Sequence, residues 1–142
     1  TAANVAPVND TQYVARTYIA AAAIEAGEAL YLNSSGKAAK AIATALSTSE
    51  PFLGIATHSC GAGAPVEVLH RGAMEGMGVS GQSYGTPIYL SETTAGDLTT
   101  TAPSTNTDVV VEVGKVLPMS GPGLEKVLYV DVNMAHLLVV HG

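Results

Sequence analysis

The chain has 142 residues, a length that suits a single domain with one core. Six Lys and Arg stand against 12 Asp and Glu, and this net charge of -6, with no basic run, argues against binding to a nucleic-acid backbone. Hydrophobic residues make up 47% and charged residues only 13%, so much of the surface must be Thr, Ser, Gly and Ala. A weakly charged surface of this kind suits burial against neighbouring molecules.

The cysteine count and the hydropathy bear on the compartment. Cys60 is the single cysteine, which excludes an internal disulfide framework and gives no sign of an oxidising environment. The sequence shows no signal-peptide pattern and no apolar stretch near the length that spans a bilayer. We therefore expect a protein that is made in the cytoplasm and has no membrane partner.

Residues 1–11 predict an extended N-terminal arm, because they carry no periodic apolar pattern. Its sizeable apolar side chains are Val5 and Val8, and Pro7 stiffens it, so these three residues are the candidates for binding a partner. Free backbone donors in such an arm can extend a neighbouring sheet. The alternative is a disordered chain end without a role.

Residues 12–142 predict one β-rich domain. In 13–24 an alanine run favours helix while Val14, Tyr18 and Ile19 favour strand, and we expect a strand. Residues 38–49 can form one short helix, whereas 15 glycines and seven prolines leave little room for other helices. Short runs of β-branched and aliphatic residues, bounded by Gly, Pro, Ser or Asn, predict strands at 29–32, 52–57, 66–70, 87–90, 109–113 and 126–132.

The sequence contains an internal echo. GEALYL at 27–32 matches GTPIYL at 85–90, and the match continues through Gly36 with Gly96 and Gly54 with Gly114, at spacings of 58 to 60 residues. We interpret segments 25–60 and 83–118 as a possible internal duplication. Chance similarity between short strands is the alternative.

The candidate catalytic and cofactor motifs lack the neighbouring residues that their chemistry requires. GMGVSG at 76–81 fits a dinucleotide-binding pattern, but the residues after it cannot begin a helix, so we expect a turn-rich loop. His58 and Cys60 lie two residues apart without a second ligand cluster, and His70 is similarly isolated. The sequence therefore predicts no catalytic residues, no cofactor and no metal site.

A family resemblance is carried by the order of several motifs. The chain has GEALYLNSSGKAAKA, then FLGIA, PVEVLHRGAM, YGTPIYLSETTAGDLTTTAPS and VVVEVGKVL. This succession, over roughly residues 25 to 132, resembles bacteriophage capsid decoration (cement) and head-fibre proteins. The stretch 20–23 and the tail HLLVVHG do not belong to the pattern.

The resemblance implies a compact β-barrel or β-tulip domain and a homotrimer on the outer surface of the virion. Its partner would be the lattice of the major capsid protein, and its function would be to stabilise the shell without chemistry. One alternative is another phage structural or adhesive module, such as a tail, neck or head-fibre domain. A second alternative is a small trimeric β-barrel enzyme with its site between subunits.

Overall fold

β-strands are the dominant secondary structure of the chain. The computed structural model describes residues 6–8, 14–118, 125–132 and 137–139. Strands account for 48% of the residues and helical turns for 4%, and no helix in the described ranges reaches seven residues. The predicted mostly β fold is confirmed. The strands are β1 (Ala6–Val8), β2 (Val14–Ile19), β3 (Ala29–Leu32), β4 (Ala38–Lys40), β5 (Phe52–Ala56), β6 (Pro65–Glu75), β7 (Pro87–Leu90), β8 (Leu98–Thr99), β9 (Val109–Pro118), β10 (Lys126–Asp131) and β11 (Leu137–Val139).

The strands form one curled antiparallel sheet with the shape of a half-barrel. Its main path runs β4-β3-β5-β6-β10-β9-β7-β8, with β1 and β2 added to β6 and β11 added to β9. Strand β6 is central because its two halves have different neighbours. Leu69 pairs with β2 on one edge and β5 on the other, whereas Ala73 pairs with β1 and β10. Thus β5 and β10 share one edge of β6, and β2 and β1 share the opposite edge.

The ambiguous segment 13–24 begins as a strand, as expected, and then bends. After β2, Ala20 forms an isolated bridge with Ala38 at the start of β4, and Ile24 bridges Cys60. Ala20 and Ile24 are almost fully buried, whereas residues 21–23 between them are exposed, so the segment is held at its two ends and does not form a helix.

Of the short helix that residues 38–49 could form, one turn of 3-10 helix is present, at Leu46–Thr48. Ala38 pairs with Leu32 in the β3–β4 hairpin, and Ala41 and Ala43 are fully buried in the core. Long-range strand pairing and close packing of these small side chains outweigh the local helix propensity of alanine.

The two segments that echo each other in sequence also have the same strand pairing. Leu30 of β3 pairs with Gly54 of β5, and Ile88 of β7 pairs with Gly114 of β9. In both pairs the register shifts at the next residue, so the irregularity occurs at the same position. The sheet order β4-β3-β5-β6 is repeated as β8-β7-β9-β10.

The turns that enter β3 and β7 also match. The Gly27 N–H donates to the Ala56 carbonyl at 2.8 Å, and the Gly85 N–H donates to the Val116 carbonyl at 2.7 Å. Both glycines have positive φ, 91° and 86°. Each turn is therefore hydrogen-bonded to an equivalent residue of the neighbouring strand, which is β5 for the first hairpin and β9 for the second.

The equivalence extends to the strand that begins each half. Ala15 of β2 pairs with Leu69, and Ala73 in the second half of β6 pairs with Tyr129. Ala73 follows Ala15 by 58 residues, and Tyr129 follows Leu69 by 60 residues. These are the spacings seen along the echo. We call β2 to β5 with residues 65–71 the first unit, and residues 72–75 with β7 to β10 the second unit. Strand β6 thus ends one unit and begins the next.

Two hydrophobic clusters form the interior. The larger contains residues of both units, and the smaller lies inside the first unit. The larger cluster includes Ile55, Leu69, Met74, Leu90, Val111, Val113, Val116 and Leu128. The smaller includes Ala20, Ile24, Leu30, Leu53, Val66 and Val68.

Candidate interaction surface

The predicted arm residues lie partly in the sheet. Pro7 and Val8 belong to β1, where they pair with Met74 and Ala73 of β6, while Val5 lies outside the described residues. The segment Ala6–Val8 thus extends the sheet of its own chain. Binding of a partner by these three residues stays a prediction.

Strand β2 is the most exposed strand whose side chains are described. Val14 is 50% exposed and Ile19 44% exposed, which is unusual for large apolar side chains in a strand. Arg16 and Thr17 are exposed as well. Within the described part of the chain, β2 pairs only with β6, so its other edge carries unpaired backbone groups between residues 14 and 19. The sequence did not identify this edge, because neighbours in a sheet cannot be read from one strand.

A hydrogen-bond network fixes the side chains next to this edge. The Arg16 guanidinium lies 5.6 Å from the centre of the Tyr18 ring, and the Tyr18 hydroxyl lies 3.0 Å from Nε2 of His70. Nδ1 of His70 donates to the Leu53 carbonyl, so in the neutral imidazole Nε2 accepts from Tyr18. His70 therefore has a structural partner at each ring nitrogen and connects β2 to β5 through β6.

His58 and Cys60 do not form a site together. Nδ1 of His58 donates to the Ser59 carbonyl at 3.1 Å, and Nε2 accepts the backbone N–H of Glu67 at 3.0 Å. Cys60 is a free, half-buried thiol that packs against the smaller core cluster. Among the described residues, no group of three His, Cys, Asp or Glu side chains is placed to hold a metal ion.

The glycine motif at 76–81 lies in bends and turns after β6. Its first three residues, 76–78, line a surface depression of about 480 Å³ together with Glu25, Glu28 and Asp97. Glu28 accepts the backbone N–H of Glu25 at 2.8 Å and lies 3.5 Å from Nζ of Lys40. Its carboxylate therefore holds the turn before β3 to β4 and is already engaged within the protein.

A pair of acids organises the loop between β8 and β9. The Glu92 carboxylate accepts the backbone N–H groups of Ser104 and Thr105, each at 3.3 Å. A hydrogen bond between the two carboxyl groups lowers the pKa of Glu92 and raises the pKa of Asp108, whose residue is only 8% exposed. Asp108 thus keeps its proton to higher pH than a free carboxyl group does, and while it is protonated it donates to Glu92.

The junction between the two units is also charged. Arg71 and Asp131 are equivalent positions of the two units, and they pair with each other where β6 meets β10. The distance from Nε of Arg71 to Oδ2 of Asp131 is 3.8 Å. Hydrogen bonding to Tyr129 and the negative charge of Asp131 raise the pKa of Arg71.

Comparison with known proteins adds no family to this description. No protein-family model, no curated protein and no solved structure matches the chain. None of the helices described here is long and apolar enough to cross a membrane.

Proposed function

We propose that this protein is a virion structural protein that decorates the outer surface of a bacteriophage capsid. It binds the lattice of the major capsid protein as a trimer and stabilises the shell without catalysis. The observation that carries the proposal is the ordered succession of motifs that resembles phage decoration and head-fibre proteins.

The location of these motifs in the fold supports the proposal. GEALYL leads into β3, FLGIA forms β5, PVEVLHRGAM lies along β6 and GTPIYL leads into β7. The motif VVVEVGKVL forms most of β9. The resemblance therefore concerns the central strands of the sheet and the glycines that enter them.

The surface composition also favours assembly. Charged residues are only 13% of the chain, and exposed apolar side chains include Val14, Ile19, Leu46 and Tyr84. A soluble domain that works alone usually has about 25% charged residues. Burial of weakly charged surface against a lattice requires little desolvation of ions.

Co-sedimentation tests the capsid assignment. Purified protein is mixed with empty heads of the phage that encodes it, and with tails of the same phage in a parallel sample. We expect saturable binding to heads and none to tails. Binding to tails alone would overturn the decoration role and favour the tail or neck module.

Stabilisation of the shell is measured on the same particles. Heads with and without bound protein are heated in steps, and release of the shell subunits is followed by electron microscopy. We expect decorated heads to remain intact at higher temperature. Equal breakdown temperatures, or stoichiometric capture of a small metabolite by the isolated protein in native mass spectrometry, would contradict a purely structural role.

A further inference from the structure

The structural repeat creates two equivalent strand edges, of which one is covered. Residues 73–75 of β6 begin the second unit and pair with β1. Residues 15–17 of β2 hold the same position in the first unit, as the matched pairs Ala15 with Leu69 and Ala73 with Tyr129 establish. No described strand covers residues 15–17 on that side. The repeat thus indicates what kind of element fits there, namely a short antiparallel strand like β1.

The chain cannot fill both edges with its own N-terminal segment. Ala6–Val8 is one strand, and it already pairs with residues 73–75. Transfer of this segment to the other edge would expose the first. Each of the other described strands is paired elsewhere in the sheet, which points to another polypeptide as the source of a strand for residues 15–17.

The side chains at the free edge define the chemistry of that strand. Arg16 is exposed, and none of the ion pairs among the described residues includes it. Val14 and Ile19 flank it as exposed apolar side chains. An extended segment with small or apolar residues and a carboxylate near Arg16 would satisfy the backbone groups, the apolar surface and the charge together.

We propose that the outer edge of β2 at residues 15–17 binds an extended segment of a partner protein as an added antiparallel strand. The partner segment resembles the chain's own Ala6–Val8 in having small, uncharged residues, and it carries an acidic residue nearby. The inference rests on the proposed function only for the identity of the partner, which would then be the capsid lattice.

A peptide with the sequence of residues 1–10, TAANVAPVND, is the probe, because its residues 6–8 pair with the equivalent edge within the chain. The peptide carries a nitroxide label and is added to the full-length, isotope-labelled protein. We expect paramagnetic broadening of the amide signals of residues 15–17 at millimolar peptide. Absence of that broadening would overturn the proposal.

Variants with a blocked edge supply the control. Neighbouring backbone N–H groups of a strand point to opposite edges. One of the two substitutions, Arg16→Pro or Thr17→Pro, therefore removes an N–H donor that points away from β6 and leaves the pairing with β6 intact. The variant that retains the wild-type circular dichroism spectrum should lose the broadening, and Arg16→Glu should weaken it without a change in the backbone. Unchanged broadening in the folded proline variant would refute pairing at this edge.

The outcomes separate this inference from the proposed function. If phage heads bind the protein but residues 15–17 do not respond to the peptide, the decoration role remains supported and strand pairing at the β2 edge is refuted. Self-association of the full-length protein that the folded proline variant abolishes would assign the edge to a second copy, which overturns the assignment to a partner.

Discussion

Replacement of Gly114 by alanine tests the closest approach of strands in the second unit. A Cβ atom at this position of β9 would lie 1.9 Å from the carbonyl oxygen of Tyr129 and 2.9 Å from its carbonyl carbon. Since ordinary contacts begin near 3.4 Å, β9 and β10 would have to separate by about 1.5 Å. The atoms that must move belong to the backbone, so a side-chain rotation cannot relieve the clash.

The expected loss of stability is large because strand pairing must give way. Gly114 pairs with Val130, and the separation would disrupt hydrogen bonds on both sides of that pair. Overpacking of this severity costs about 3 kcal/mol in the free energy of unfolding. For a chain of 142 residues, this corresponds to a fall of about 10 °C in Tm.

Thermal unfolding followed by circular dichroism measures the effect, with two further glycines for comparison. Gly54→Ala should cost at least as much, because its Cβ would lie 2.0 Å from the Leu69 carbonyl oxygen and its φ is +137°. Gly61→Ala is the control, since no atom lies within 4 Å of the added carbon. A Tm for Gly114→Ala within about 2 °C of the wild type would refute the reasoning.

Three further substitutions test interactions of single side chains. Asp108→Asn keeps a donor toward Glu92. Because the folded pKa of Asp108 is raised above 3.8, the stability that its proton contributes is present at acid pH and lost as pH rises through the folded pKa. As pH rises through this range, the Tm of the Asp108→Asn variant should therefore exceed that of the wild type by a growing margin. Thermal melts at a series of pH values measure this difference in Tm. Tyr18→Phe removes the hydroxyl that hydrogen-bonds to His70 and should lower the free energy of unfolding by about 1 kcal/mol in urea titrations. Cys60→Ser should change Tm by less than about 2 °C, and a larger fall would assign the half-buried thiol a greater packing role.

The sequence predicted most strands but placed some of their ends wrongly at glycines. The strand expected at 66–70 extends through Gly72 to Glu75, and the strand expected at 109–113 extends through Gly114 to Pro118. Glycine usually interrupts a strand, and the sequence rules treat it as a boundary. At Gly114 the missing side chain instead permits the close approach of two strands, which only the folded structure reveals.

Two further features of the fold could not be predicted from the sequence, namely the very short strands and the equivalence of two strand edges. Strands β1, β4, β8 and β11 have two or three residues each, too few for an alternating pattern to be recognised. Residues 15–17 and 73–75 share little sequence, so their equivalence could not be predicted from the echo at 27–32 and 85–90. Their common position becomes visible only through the residues with which they pair.

The sharing of β6 by both units bears on the cooperativity of the fold. In arrays of repeats joined by linkers, one module can melt while its neighbour stays folded. Here residues 65–71 complete the first unit and residues 72–75 begin the second without any linker between them. Leu69 and Met74 both belong to the larger core cluster, so loss of one unit would remove the packing of the other. The two halves should therefore melt in one transition, with equal calorimetric and van't Hoff enthalpies.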